Sequence, residues 1–181
     1  MKKTLKALPI IIYPYVYMIC LGIYFLIVTH SADVEKTTVA SIIALAAAAL
    51  VYNAYSFFAA FYLIFAAAKG KYGASGLSKL NMTVKLVQIP AYIIHFALAL
   101  IGFLMSVWGI PVIIWAIVID FISISLSGIV GVAASIAGRK ESALTTAQSV
   151  WLAIGGFVYC VDVVLAIVMR IIIKRKTKAD R

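Results

Sequence analysis

The fold of this chain is decided by two apolar stretches near its end, IPVIIWAIVIDFISISLSGIVGVAASIA at Ile110 to Ala137 and SVWLAIGGFVYCVDVVLAIVMRIII at Ser149 to Ile173. Each is long enough to cross a hydrocarbon core of about 30 Å as a helix. Each also carries one carboxylate, Asp120 or Asp162, among aliphatic neighbours. Because a charge at the bilayer centre costs roughly 2.5 to 3.5 kcal/mol on insertion scales, these acids must be paired, neutralised or used.

The composition of the 181-residue chain is that of a membrane protein. Hydrophobic residues make up 65% of it and charged residues 12%, against roughly 25% charged residues in soluble domains. We therefore expect a single all-α integral membrane domain over 1–181, a bundle of about five transmembrane helices with short loops. The first apolar run exceeds the roughly 7 to 15 residues of a signal-peptide core, so we expect it to be retained. The spans are expected at 8–29, 39–68, 86–108, 110–137 and 149–173, in a multi-pass protein of the cell membrane.

The net charge of +10 comes from basic residues that flank the apolar segments. In these positions they set topology and contact anionic lipid head groups, so we expect the lipid bilayer, and no nucleic acid, as their partner. With the N-terminus inside, five crossings put nine Lys and Arg residues inside and seven outside, which is a weak bias. The nine are Lys2, Lys3, Lys6, Lys69, Lys71, Lys79, Lys85, Arg139 and Lys140; the seven are Lys36 and the six from Arg170 to Arg181.

Each apolar segment carries a stripe of polar or small residues at helical spacing. In the third segment Gln88, Tyr92 and His95 follow one another at intervals of four and three, which places them on one helix face. Such stripes predict helices packed with their polar faces inward and their aliphatic faces towards lipid. The candidate intramembrane polar site comprises His95, Asp120, Asp162, Asn53, Tyr159, Ser123, Ser127 and Arg170. For Asn53 we favour hydrogen-bonded packing between helices over ligand binding, and for His95 we favour it over proton handling.

The two acids are expected at a common depth. Asp120 is nine residues from Pro111 and Asp162 is eight from Arg170, which puts both about 12 to 14 Å inside the same membrane face. We expect them to titrate as a coupled pair, with at least one neutral at pH 7 and His95 sharing the proton. The alternative is that both stay protonated and hydrogen-bond Ser123, Ser127 or Tyr159 as packing residues.

The sequence offers little support for an enzyme. Its acids lack the Gly-x-Gly-Asp context of intramembrane aspartyl proteases, and it has no HExxH or GxSxG motif, so we predict no catalytic residue. Cys20 and Cys160 form no CxxC pair, and we predict no metal site and no cofactor. The glycine- and lysine-containing connection 69–85 lacks the Gly-Lys-Ser/Thr ending of a phosphate-binding loop and is interpreted as a flexible basic surface loop.

Three short motifs carry a resemblance. They are Asn81-Met82-Thr83-Val84-Lys85-Leu86 with Ile89-Pro90-Ala91-Tyr92, the stretch from Asp120 to Ser127, and Tyr159-Cys160-Val161-Asp162 before a basic tail. In these the second half of the chain resembles a family of small multispan membrane proteins of bacteria that has no assigned activity. The resemblance implies a location in the bacterial inner membrane and no mechanism.

Two functions fit these features. The first is a small transporter or ion-coupled permease, because ionisable residues inside a membrane usually serve function. The second is a non-catalytic membrane subunit or assembly partner of a larger complex, whose small-residue stripes bind other helices. Besides the bilayer, the expected partner is another membrane protein or a second copy of the chain in a homo-oligomer.

Overall fold

The computed structural model describes residues 2–179, and this part of the chain is helical without a β-strand. Arg181, the end of the expected basic tail, lies outside the described residues. A short 3₁₀ turn, Ser106–Gly109, joins the fourth helix to the fifth. The helices are α1 (Lys2–Ile11), α2 (Tyr13–Thr29), α3 (Val34–Ala68), α4 (Ala74–Leu104), α5 (Ile110–Lys140), α6 (Thr146–Gly155) and α7 (Val161–Ala179).

Helix α5 is the centre of the structure and packs against both α4 and α3. These three helices are each long and apolar enough to cross a membrane, whereas α2 is apolar but has only 17 residues. Two glycines approach closely where the 3₁₀ turn leads from α4 into α5, and a Cβ on Gly109 in that turn would lie 1.7 Å from the carbonyl oxygen of Gly102 in α4. Only glycine therefore fits at this end of the α4–α5 pair.

The first expected span is interrupted between α1 and α2, where Pro14 predicts a kink. Proline has no N–H, so the carbonyl of Ile10 loses its partner in the helix. The side-chain amide of Gln88 donates to that carbonyl at 2.8 Å, and the hydroxyl of Tyr52 donates to the carbonyl of Pro9 at 2.8 Å. Side chains of α3 and α4 therefore satisfy the backbone groups that the kink exposes.

The connection 69–85 is not a flexible loop. Helix α4 already begins at Ala74, whose N–H donates to the Glu141 carboxylate at 2.9 Å, and Lys85 is buried within the helix. The sequence conceals this start because the first three turns of α4 mix polar and apolar residues and lower the local hydropathy. Only 69–73 remain as the turn between α3 and α4.

The last apolar segment, 149–173, forms two helices rather than one crossing helix. A capping box of Thr145 and Gln148 begins α6, which packs along α5. The Ser149 hydroxyl donates to the Ser135 carbonyl, and farther along the chain the Phe157 ring lies against Gly128. Since Gly128 precedes the end of α5 by twelve residues, the chain enters the bundle to a depth of about 18 Å.

Helix α7 then returns to the end of the bundle from which α6 came. Arg170 donates to the Ser75 carbonyl at 2.7 Å near the start of α4, and Lys176 donates to the Ser142 carbonyl at 2.7 Å just after α5. We call 146–179 the re-entrant hairpin and 156–160 its tip. The expectation of one continuous helix over 149–173 is therefore wrong, because the ten residues of α6 span only about 15 Å before the chain reverses.

The reversal places nearly all the described Lys and Arg residues at one end of the bundle. We call this the basic end, which contains the turns 69–73 and 141–145 together with both ends of the re-entrant hairpin. Among the described residues, Lys36 is the only Lys or Arg at the opposite end. At or near the basic end lie Lys2, Lys3, Lys6, Lys69, Lys71, Lys79, Arg139, Lys140, Lys174, Arg175, Lys176 and Lys178.

Candidate functional site

One face of α4 carries four buried polar side chains. Lys85, Gln88, Tyr92 and His95 succeed one another at intervals of three, four and three residues, so they line up along the helix. None of them exposes more than 7% of its surface. This polar face lies against α5 and the re-entrant hairpin, which supply its acidic partners.

The first acidic partner is Asp162, in the first turn of α7. Its Oδ2 lies 2.6 Å from the Lys85 ammonium, and both side chains are at least 98% buried. The same ammonium donates to the Gly156 carbonyl at 2.9 Å. Lys85 therefore holds the tip of the hairpin at two points, its backbone and the start of α7.

The second acidic partner is Asp120 of α5. Its Oδ1 lies 2.5 Å from Nδ1 of His95, whose side chain is fully buried and meets the Trp115 ring edge-on at 5.1 Å. Nε2 of His95 has no hydrogen-bond partner among the described residues. Asp120 is 16% exposed, so this pair, unlike the first, is open on one side.

The expectation that the two acids lie at a common depth is wrong, and the acids do not contact each other. Their basic partners, Lys85 and His95, stand ten residues apart on one helix, which separates the two pairs by about 15 Å along its axis. The depth estimate failed because Pro111 and Arg170 lie at opposite ends of the bundle. Each acid therefore has a base of its own.

Two tyrosines occupy the space between the pairs. Tyr92 lies on the polar face of α4, and its hydroxyl donates to Oε1 of Gln88 at 3.0 Å. Tyr159, in the tip of the hairpin, has its ring centre 5.7 Å from that of Tyr92. The next residue, Cys160, adopts a left-handed backbone with φ of 64°, and this unfavourable conformation turns the chain into α7.

Two cavities flank the tip and share Phe96 and Tyr159 as walls. The larger, of about 550 Å³, contains the His95–Asp120 pair, and the smaller, of about 310 Å³, borders Asp162. The larger cavity is lined by His95, Phe96, Ala99, Ala116, Ile117, Asp120, Phe121, Ile124, Ser125, Phe157 and Tyr159.

Ser123 and Ser127 are fully buried but bind neither acid. The Ser123 hydroxyl donates to the carbonyl of Ile119 at 2.7 Å, and that of Ser127 to the carbonyl of Ile124 at 3.1 Å. Both hydrogen bonds stay within α5, so the hydroxyls need no partner on another helix. The small serine side chains therefore allow α4 to pack closely against α5. The alternative interpretation, in which these serines hydrogen-bond Asp120 or Asp162, is therefore wrong.

Asn53 and Arg170 lie away from both ion pairs. Asn53 accepts from the Tyr13 hydroxyl at 2.5 Å and donates to that of Tyr17 at 2.7 Å, which joins α3 to α2. Arg170 donates to the hydroxyl of Ser75 at 3.0 Å, besides its carbonyl, and so fixes α7 to the start of α4. Both residues serve packing in this structure.

The residue that sequence reasoning missed is Lys85. Lys85 lies three residues before Gln88 and so continues the polar stripe of Gln88, Tyr92 and His95. This spacing was the available indication that Lys85 belongs to the same helix and needs an acidic partner. The described residues contain no group of three His, Cys, Asp or Glu able to hold a metal ion. Comparisons with protein families, curated proteins and solved structures find no match to this chain, so the site must be interpreted from its own geometry.

Proposed function

We propose that the chain is a multi-pass integral membrane protein with its basic end in the cytoplasm. The kinked α1–α2 segment, α3, α4 and α5 cross the bilayer, and the hairpin enters it from the cytoplasmic side. In support, large apolar side chains cover the outside of the bundle, among them Phe103, 76% exposed, and Phe58, 71% exposed. The distribution of Lys and Arg fits the positive-inside rule and contact with anionic lipid head groups.

Within that membrane location, the function we favour is an ion-coupled permease for a small solute. The observation that carries it is the tip of the re-entrant hairpin, which lies between the two ion pairs. Non-helical backbone at membrane depth is tolerated only where protein buries it or where it lines a cavity, and interrupted helices with ionisable partners are typical of transport sites.

The two pairs have different tasks in this proposal. The sealed Lys85–Asp162 pair holds the tip in place, since breaking it would leave a buried, unpaired charge. The open His95–Asp120 pair binds and releases the coupling proton, because a histidine and a carboxylate in contact can exchange one. Tyr159 forms part of the wall between the two cavities, and in this proposal it separates the cavity at His95–Asp120 from the cavity at Asp162.

Proton flux into proteoliposomes tests this function. Vesicles containing the dye pyranine are loaded with K⁺, and valinomycin generates an inside-negative potential that drives protons inward. We expect faster acidification with the protein than in empty vesicles, and a rate near that of empty vesicles with Asp120→Asn. Asp33→Asn is the matched control, because it also removes one carboxylate but keeps an N-cap residue on α3. Equal flux through the wild type and Asp120→Asn would contradict the proposal.

A second function, a non-catalytic membrane subunit of a larger complex, is favoured by one surface of α3. Ala44, Ala47 and Ala48 are exposed, and small residues on a helix allow another helix to approach closely. Mass measurement after purification in mild detergent separates the two functions. A stoichiometric partner protein that copurifies would support the subunit, whereas the chain alone would support the permease.

A further inference from the structure

The larger cavity combines one carboxylate with aromatic walls. Asp120 is its only acidic residue, and Phe96, Phe121, Phe157 and Tyr159 supply four rings. The remaining walls are mostly Ala and Ile, and neither Lys nor Arg lines the cavity. A volume of about 550 Å³ is within the range of roughly 300 to 1,000 Å³ found for small-molecule sites.

The chemistry of this lining selects for positive charge. Aromatic faces attract cations through their negative quadrupole, most strongly where water is excluded, and they are the usual receptors for quaternary ammonium groups. A carboxylate in the same cavity supplies the opposite charge at close range. An anion of the same size would meet both the Asp120 carboxylate and the electron-rich ring faces.

The mouth of the cavity opens towards the side of the bundle. Phe96, Ile117 and Phe121 border it and are 62%, 61% and 72% exposed. Asp120 lies ten residues into α5, about 15 Å from the start of that helix. In a bilayer this mouth faces hydrocarbon, so a ligand that enters it must itself be lipophilic.

We propose that this cavity binds a lipophilic organic cation, with Asp120 as its counter-ion and the four aromatic rings as its walls. The inference rests on the proposed function, because it names the class of solute that the permease carries. The cation and the His95 imidazole contact the same carboxylate, so the ligand competes directly with the resident ion-pair partner.

Equilibrium dialysis of the purified protein in nanodiscs tests this with two probes of nearly equal shape and opposite charge, tetraphenylphosphonium and tetraphenylborate. We expect saturable binding of tetraphenylphosphonium beyond that of empty nanodiscs, and no saturable binding of tetraphenylborate. Asp120→Asn should weaken tetraphenylphosphonium binding by roughly tenfold or more. Asp33→Asn should leave it unchanged.

The wild-type protein alone can overturn the proposal, whether or not Asp120→Asn folds. Saturable binding of both probes, or of neither, would contradict a cation-selective cavity. Unchanged binding by a folded Asp120→Asn protein would do the same. If tetraphenylphosphonium does not bind but proton flux still depends on Asp120, the ligand class is wrong and the proposed permease remains. If it binds and proton flux is absent both with and without tetraphenylphosphonium, the permease is wrong and the cation site remains.

Discussion

The two ion pairs on α4 have nearly the same N–O distance, 2.6 Å and 2.5 Å, but they differ in burial and in their surroundings. Lys85 and Asp162 are sealed, and the lysine also holds the backbone of the hairpin tip. His95 and Asp120 form a pair whose carboxylate opens into the larger cavity. Because the Lys85–Asp162 pair is almost fully buried and holds the hairpin tip, whereas the His95–Asp120 pair opens into the larger cavity, we infer that the first pair anchors the site and the second serves the proposed permease.

If the two pairs hold the hairpin as described, both of its ends lie on the same side of the membrane, at the basic end. Cysteine labelling tests this, because each position is either labelled or not labelled from a given side. In a chain with Cys20 and Cys160 replaced by serine, single cysteines are placed at the exposed positions Lys71, Lys174 and Glu35. A membrane-impermeant maleimide should label Lys71→Cys and Lys174→Cys from the same side and Glu35→Cys from the other. Labelling of Lys174→Cys together with Glu35→Cys would show that the last segment crosses.

Removing the base of the sealed pair should give the largest loss of stability. Lys85→Met leaves the Asp162 carboxylate buried without a partner and deprives the Gly156 carbonyl of its donor. We expect a loss of about 3 to 5 kcal/mol in the free energy of unfolding, measured by SDS titration in mixed micelles. The double variant Lys85→Met/Asp162→Leu should recover part of that loss, because no charge remains buried. A single variant as stable as the wild type would mean that the pair does not anchor the tip.

The open pair should contribute less to stability. In Asp120→Asn the amide oxygen can still accept a hydrogen bond from His95, and the partly exposed position lowers the cost of an imperfect partner. We expect a loss of about 1 kcal/mol in the same titration. A loss as large as that of Lys85→Met would erase the distinction between the two pairs.

The sequence predicts the long helices well and the hairpin badly. Hydropathy identifies α3, α4 and α5 because each contains an apolar run long enough to cross a bilayer, and such a run is typical of a membrane-spanning helix. Hydropathy cannot distinguish one helix that crosses the membrane from two shorter helices that reverse within it, since both place the same apolar residues in the bilayer. The Gly155-Gly156 pair and the unfavourable position of the basic tail were the available indications of a reversal.

The candidate site was predicted in part for a similar reason. His95 and Asp120 each fall on a polar stripe, but helical spacing alone does not say which stripes meet. The partner of Asp162 was assigned to a loop because the start of α4 is amphipathic, so Lys85 was counted as surface charge. Contacts between distant parts of the chain, such as Lys85 with the hairpin tip, depend on the packing of the whole bundle.

The central claim is that the Lys85–Asp162 pair stabilises the hairpin tip while the His95–Asp120 pair serves proton movement. The most direct test measures both proton flux and the free energy of unfolding in two variants, Asp120→Asn and Asp162→Asn. The flux is compared at equal protein content per vesicle. We predict that Asp120→Asn loses proton flux and keeps nearly all of its stability, whereas Asp162→Asn loses more stability than Asp120→Asn. Full proton flux in a stable Asp120→Asn protein, or a larger stability loss there than in Asp162→Asn, would contradict the account.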